Sequence, residues 1–238
     1  MNAADRQTST STSEYHDLRE STLFRQLSPT AAEKFKTIKV DSLYLAGTLL
    51  FTENEPARGV YLIHSGKVKL SVSSRGGRML ILEMAGPGEM IGLSASMSGM
   101  PYEVSAETLH PSQVSFVLRQ DFVRFVNCFP EVYHAVIRQI NSQYAQACEQ
   151  LRTVGLSTTA QEKLARLLLH WSSKDKQASA SAHIKVPLTH EQIAECVGAT
   201  RETVTRTLSE FKNKHLVRFN GSTIVIPSLA ALQAISGD

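Results

Sequence analysis

The chain has 238 residues but only three cysteines, Cys128, Cys148 and Cys196, with none in the first 127 positions. A scattered, odd-numbered set argues against a disulfide framework and fits a reducing compartment, so a cytoplasmic protein is expected. No apolar run approaches the roughly 20 residues that cross a bilayer, and no membrane partner is expected. The opening MNAADRQTSTSTSEYHDL lacks an apolar h-region, so it does not read as a secretory signal. The sequence also lacks an HExxH motif, a Walker loop, a nucleophile–base arrangement and clustered carboxylates. Neither an enzyme nor a metal site is expected.

What remains is globular. Hydrophobic residues make up 42% and charged residues 20%, enough for packed cores in one large or two small domains. The net charge of +3 is unevenly distributed. Residues 1–156 balance 15 basic against 15 acidic side chains, whereas residues 157–238 carry 10 basic and 7 acidic. A polyanion would therefore meet its most favourable surface in the C-terminal third, although many solvated surfaces carry as much charge.

Residues 1–17 are Ser/Thr-rich and read as a disordered tail. A helical pattern runs from Leu18 to about Ile38, with Ser28-Pro29 fitting an N-cap and an N1 proline. From Val40 to Leu118 the rhythm is of short strands punctuated by glycine. Lys67–Val72 alternates polar and apolar, Met79–Met84 is mostly apolar, and Gln113–Val117 alternates again. Short strands at regular spacing suggest a closed antiparallel sandwich or barrel, such as a jelly roll.

After Phe129-Pro130 the chain turns helical for about 25 residues. Tyr133, Ile137, Ile140, Tyr144, Ala147, Leu151 and Val154 fall at spacings 4, 3, 4, 3, 4, 3. That unbroken seam favours supercoiling of two helices and hence a homodimer. The alternative is a helix lying on its own domain, which usually shows a wider apolar stripe. Gly155 is expected to break this helix, with a new N-cap near Thr158-Thr159 opening Ala160–Trp171. Ser172–Ser181 reads as a surface loop.

The segment 187–208 carries the function. Thr189 with Gln192 forms a capping box. Ile193, Ala194 and Val197 supply a buried face, and Gly198 suits a left-handed turn. Thr200 then caps a second helix whose Val204, Leu208 and Phe211 make one apolar stripe. Two short helices around a glycine turn are a helix-turn-helix, spanning about 189–209. The opposite side of the second helix shows Arg201, Glu202, Thr205, Arg206 and Ser209. Arginine pairs with guanine, glutamate accepts from cytosine N4, and threonine meets phosphate or a thymine methyl. Glu202 and Arg206 could instead form only an i,i+4 ion pair. Two β runs within Leu216–Ile226 around Asn220-Gly221 read as a hairpin, and a hairpin at that point makes a wing.

A glycine-punctuated roll, a long helix and a winged helix reading Thr-Arg-Glu-Thr-Val-Thr-Arg resemble the Crp–Fnr family of bacterial transcription regulators. The resemblance covers nearly all of residues 18–230. It is most specific at Thr200–Leu208 and at Gly86-Pro87-Gly88-Glu89-Met90-Ile91-Gly92. It implies an α+β chain with an N-terminal double-stranded β-helix, a jelly-roll sensor domain like a cyclic-nucleotide-binding domain, over 18–129. A dimerisation helix over 130–156 and a winged helix-turn-helix over 157–238 complete it. Implied partners are double-stranded DNA, a second copy of the chain and RNA polymerase, with activation or repression as the outcome. Arg201, Glu202 and Arg206 match the Arg-Glu-x-x-x-Arg pattern of the branch whose half-site is TGTGA-like. Thr189 and Thr200, the caps of the two helices, are expected to join the DNA contacts, Thr200 and the wing by positioning the domain on phosphates.

The effector region departs from the family. Aligning Gly92 and Ser105-Ala106 with the phosphate-binding cassette puts Leu93 at its ribose-binding glutamate and Val104 at its phosphate-binding arginine. Ala147-Cys148 stand where a Thr-Ser pair contacts adenine. The effector pocket expected by this alignment is Gly92, Leu93, Ser94, Val104, Ser105, Ala147 and Cys148, and cyclic AMP is not expected in it. No cofactor is identified. Residues 1–127 lack the cysteines of an iron–sulfur sensor. His64 and His134 are lone histidines that read as ordinary polar or core residues rather than haem ligands. Cys148 reads as a packed thiol rather than a redox switch. Two functions stay open: a DNA-binding regulator, or a ligand, gas or redox receptor with DNA binding as its output.

Overall fold

The structure is a computed structural model that describes residues 27–173, 182–185, 188–221 and 223–237. The expected tail at 1–17 and the helical onset at 18–26 lie outside the described residues. Helix α1 (Pro29–Ile38) starts as its sequence dictates. The Ser28 hydroxyl accepts from the Ala31 amide at 3.3 Å and proline takes the first turn,.

Eight strands follow: β1 (Lys39–Tyr44), β2 (Leu49–Phe51), β3 (Gly59–Ser65), β4 (Val68–Ser73), β5 (Met79–Ala85), β6 (Met90–Ile91), β7 (Ser105–Thr108) and β8 (Ser112–Leu118). Helix α2 (Leu93–Ser98), unpredicted, interrupts them after β6. The strands form two antiparallel four-stranded sheets, β1-β8-β3-β6 and β2-β7-β4-β5. Their inner faces enclose Phe51, Tyr61, Ile63, Leu70, Tyr102 and Val114. Strand β3 is buried on both faces because helices cover its outer side. Val60 and Leu62 pack there with Phe35, Phe122 and Val136, which is why this strand does not alternate in sequence.

The covering helices are α3 (Arg119–Cys128), also unpredicted, and α4 (Pro130–Gly155). Helix α4 runs through Gly155, and Leu156 still has right-handed helical backbone with its amide bonded to Arg152 O at 3.0 Å. The break therefore falls one residue later than expected. The C-terminal domain comprises α5 (Ala160–Ser173), β9 (Ala182–Lys185), α6 (His190–Val197), α7 (Arg201–Asn213), β10 (Arg218–Asn220), β11 (Thr223–Ile226) and α8 (Leu229–Ser236). Ser172 and Ser173 belong to α5 and not to a loop. The Ser172 hydroxyl bonds back to Leu169 O at 2.7 Å, which lets it sit buried at the helix end,. The rest of the expected loop, 174–181, lies outside the described residues.

Strand β5 joins the two domains. Its pairing with β4 shifts register between Leu70 and Ser71, which face Glu83 and Ile81 respectively. The bulge turns Ile81 out of the roll and into the C-terminal core beside Leu164, Val197 and Leu208,.

Candidate nucleic-acid interface

The two helices of the motif are built by their caps. Thr189 accepts from the Gln192 amide at 3.2 Å while Gln192 Oε1 accepts from the Thr189 amide at 2.9 Å,. Gly198 closes α6 at φ 62°, and a Cβ there would lie 3.3 Å from Val154 Cγ1. Glycine is required both for the left-handed turn and for contact with α4. Thr200 caps α7, accepting from the Thr203 amide at 3.2 Å. Val204, Leu208 and Phe211 are buried against Ile193 and Val197. Arg201, Glu202, Thr205, Arg206 and Ser209 are all exposed on the other side. The residues predicted from sequence thus share one solvent-facing stripe.

Hydrogen bonding refines the stripe. Glu202 pairs with its own helix end rather than with Arg206. Its own amide, the Thr200 hydroxyl and nearby Arg201 hold its carboxyl below the usual glutamate range,. Ser209 bonds back to Thr205 O at 2.9 Å. The Thr205 hydroxyl donates to Arg201 O at 2.9 Å and lies 2.8 Å from His190 Nδ1. His190 was missed in the sequence. Its only signal was its place beside Thr189 at the start of α6, and its partner is fifteen residues away. The wing is a hairpin of β10 and β11 with Asn220 facing Thr223 and Gly221 at φ 57°. The unpredicted β9 pairs with the other edge of β11.

This domain is pinned to the roll and to α4. The Gln150 amide of α4 donates to Ile81 O at 2.9 Å and also to Cys196 O. Lys69 of β4, nearly fully buried, lies 3.3 Å from Glu107 and 3.9 Å from Glu195 of α6. Burial pushes the Cys196 thiol up to about 12.

The seam residues of α4 divide into two groups. Tyr133, Ile137, Tyr144 and Leu151 are exposed, Tyr144 at 72% and Leu151 at 64%. Ala147 is half-buried, Ile140 packs beneath α4 in the helix-covered core, and Val154 meets Gly198. The face that α4 buries in its own chain is instead Val132, Ala135, Val136, Gln150 and Thr153.

The effector candidates do not converge on one pocket. Gly92 caps α2 at φ 77°. Leu93 is 1% exposed in the core under α3 and α4, whereas Val104 packs in the separate core between the sheets. The Ser94 hydroxyl donates to Glu103 at 2.7 Å, and Ser105 accepts from the Glu53 amide at 2.9 Å. Ala147 and Cys148 are half-buried on α4, where Cys148 hydrogen-bonds Tyr144.

His64 lies in a polar chain with Ser115 and Asp41. Ser115 donates to the Asp41 carboxylate, so His64 Nε2, 2.5 Å away, must donate to Ser115,. His134 is exposed on α4. Among the described residues no group of three or more His, Cys, Asp or Glu side chains could hold a metal, and no helix is long and apolar enough to cross a membrane.

Two family models match the chain: a cyclic nucleotide-binding domain over residues 42–127 and a Crp-like helix-turn-helix domain over residues 162–235. A CRP-like cAMP-activated global transcriptional regulator of Mycobacterium tuberculosis is 28% identical over 181 residues, covering 76% of this chain and 80% of the relative. The cyclic AMP receptor protein of Thermus thermophilus is 24% identical over 219 residues, covering 92% and 98%. Among solved structures, FixK2 from Bradyrhizobium japonicum shares the fold at a TM-score of 0.72 with 24% identity, covering 83% of this chain and 97% of its own.

Proposed function

The chain belongs to the Crp–Fnr family of DNA-binding transcription regulators, and from that premise we propose that it acts as a homodimer reading an inverted repeat with TGTGA-like arms. The observation that carries the reading is the exposed stripe Arg201, Glu202, Thr205, Arg206 and Ser209 on a helix whose other side is fully packed. Such a helix enters a major groove by its N-terminal turn, and two copies meet half-sites about 34 Å apart. Thr189 and the wing hold the domain on phosphates, while Thr200, whose hydroxyl hydrogen goes to Glu202, caps α7,. The exposed part of the α4 seam supplies the dimer contact, and RNA polymerase is the further protein partner. No catalytic residue is assigned. Selection of bound sequences from random duplexes, with and without cell extract, tests the reading. Enrichment of an inverted repeat is expected, and enrichment of no sequence would overturn it.

Cyclic AMP is not the proposed effector. Leu93 and Val104 offer no acceptor for a ribose hydroxyl and no cation for a phosphate, and each packs in an apolar core,. Titration calorimetry should show no binding, and a micromolar or tighter dissociation constant would refute this. A second reading, a small-molecule receptor with DNA binding as output, is favoured by one feature. A cavity of about 600 Å³ lies where β5, α4, α5 and β9 meet, lined by Ile81, Gln150, Leu167, Trp171 and His183 among others. A ligand there would touch both domains. Extract-dependent enrichment in the same selection would favour this reading.

A further inference from the structure

We infer that Thr205 reads the C5-methyl group of a thymine, and that His190 is the positioning residue that fixes it for that task. The inference rests on α7 being the recognition helix.

The argument is one of hydrogen-bond capacity. A hydroxyl has one hydrogen to give and two lone pairs to receive. The Arg201 carbonyl, 2.9 Å from Thr205 Oγ1, can only accept, so the Thr205 hydrogen is committed there. His190 Nδ1, 2.8 Å away, must then be the donor to Thr205 Oγ1. The donor and one lone pair are spent inside the protein. Phosphate oxygens, guanine O6 and N7, adenine N7 and thymine O4 are all acceptors. The Thr205 hydroxyl has no hydrogen left for any of them.

Thr205 is nevertheless exposed, in the middle of the stripe. What it still offers a partner is one oxygen lone pair, which suits a base amino group, and Cγ2. A β-branched side chain is stiff about χ1, and here its oxygen is tied at two points, one on α7 and one on α6. The methyl direction is therefore set by the crossing of the two helices. Thymine is the base that presents a methyl group in the major groove, and a threonine methyl is a suitable contact for it.

The test uses the full chain and the operator that selection yields. Each thymine of that operator is replaced in turn by deoxyuridine, which removes only the C5-methyl. One thymine per half-site should cost about fourfold in affinity, the value of one buried methyl, and about 15-fold when replaced in both half-sites. Thr205→Val keeps a methyl but removes the hydroxyl that Arg201 and His190 hold, so it should retain only the reduced, about twofold, preference expected of His190→Ala. Thr205→Ser keeps the hydroxyl and should abolish it. His190→Ala should reduce the preference to about twofold or less without lowering the melting temperature measurably, a readout that a merely structural role would not separate. Insensitivity of every thymine to the exchange would overturn the inference. So would the reverse pattern, in which Ser preserves selectivity and Val loses it, since that marks a hydroxyl contact such as acceptance from a base amino group. Enrichment of an operator without uridine sensitivity defeats this inference alone, whereas failure to enrich any sequence defeats the recognition-helix reading and this inference with it.

Discussion

Lys69 of the roll and Glu195 of the first helix of the motif lie 3.9 Å apart, a buried cation facing a half-buried carboxylate between the two domains of one chain. Lys69 serves two carboxylates, with Glu107 at 3.3 Å. One cation therefore faces two anions, and Glu195 Oε2 has no hydrogen-bond donor of its own. Burial raises the Glu195 pKa. Lys69 pulls it back, and Glu191 and Glu107 push it further up,.

The first prediction is a pH dependence with a definite sign. The Glu195 carboxyl ionises less readily in the folded chain than in the unfolded one. Below the unfolded value both states hold the proton and Glu195 costs nothing. As pH rises through the folded value the folded chain must carry a buried charge, so this group makes stability fall with pH. Glu195→Gln should gain stability relative to the parent between pH 5 and pH 8, read as the difference in urea midpoints. An unchanged difference across that range would refute it.

Lys69→Met should act in the opposite direction. It removes the cation that faces both carboxylates and leaves Glu107 and Glu195 without it. Glu107 and Glu195 are only partly buried, so the loss should fall below the several kcal/mol of a fully buried pair, at about 1–3 kcal/mol. Urea unfolding measures the loss, and a cost below about 1 kcal/mol would mean that water reaches the cluster and screens it.

Tyr144 and Leu151 give a clean test of self-association, because both are exposed and neither supports its own domain. Tyr144→Glu with Leu151→Glu should yield a folded monomer that binds a two-half-site operator far more weakly. Sedimentation velocity decides it, with helix content by circular dichroism as the folding control. An intact dimer in the double variant would remove α4 as the interface.

What the sequence revealed, and what it hid, follows the range of the interactions. The caps Ser28, Thr189 and Thr200, the glycine turn at Gly198 and the apolar stripe Val204–Phe211 are local, and all lie where the pattern put them. The hidden features are long-range. Lys69 sits in an alternating strand where a polar residue would normally face solvent, yet it is buried because α6 covers that face. Ile81 is turned toward the second domain by a bulge that no spacing announces. Leu93 and Val104 align with residues of one ligand site but pack in different cores. On the exposed side of α7 the stripe was legible, and the His190–Thr205 contact was not.

Cys196 offers a chemical check on how tightly the domain is docked. Its thiol is buried, and burial raises its pKa to about 12, so almost no thiolate exists at pH 8,. A disulfide reagent at pH 8 should modify exposed Cys128 promptly and Cys196 only after unfolding. Mass spectrometry of the labelled peptides distinguishes them. Prompt labelling of Cys196 would show that α6 opens from the roll in the native state.

The last prediction separates base reading from anchoring. Arg201 and Glu202 occupy the first turn of α7, the end that goes deepest into the groove, and Arg206 lies one turn along the same exposed face,. Glu202 is held ionised by its own amide and the Thr200 hydroxyl, which suits acceptance from cytosine N4. Arg218 sits instead on the exposed wing strand, and under the proposed docking its cation would face phosphate rather than a base edge. Arg206→Ala should relax preference at one guanine per half-site, worth about 1–3 kcal/mol of discrimination. Arg218→Ala should weaken all sequences alike and make the salt dependence shallower by about one unit of log–log slope for each lost contact. Binding-site selection on both variants, with affinities measured at two salt concentrations, tells the roles apart. A uniform loss from Arg206→Ala would make Arg206 a backbone contact and move the base-reading role to the first turn of α7 alone.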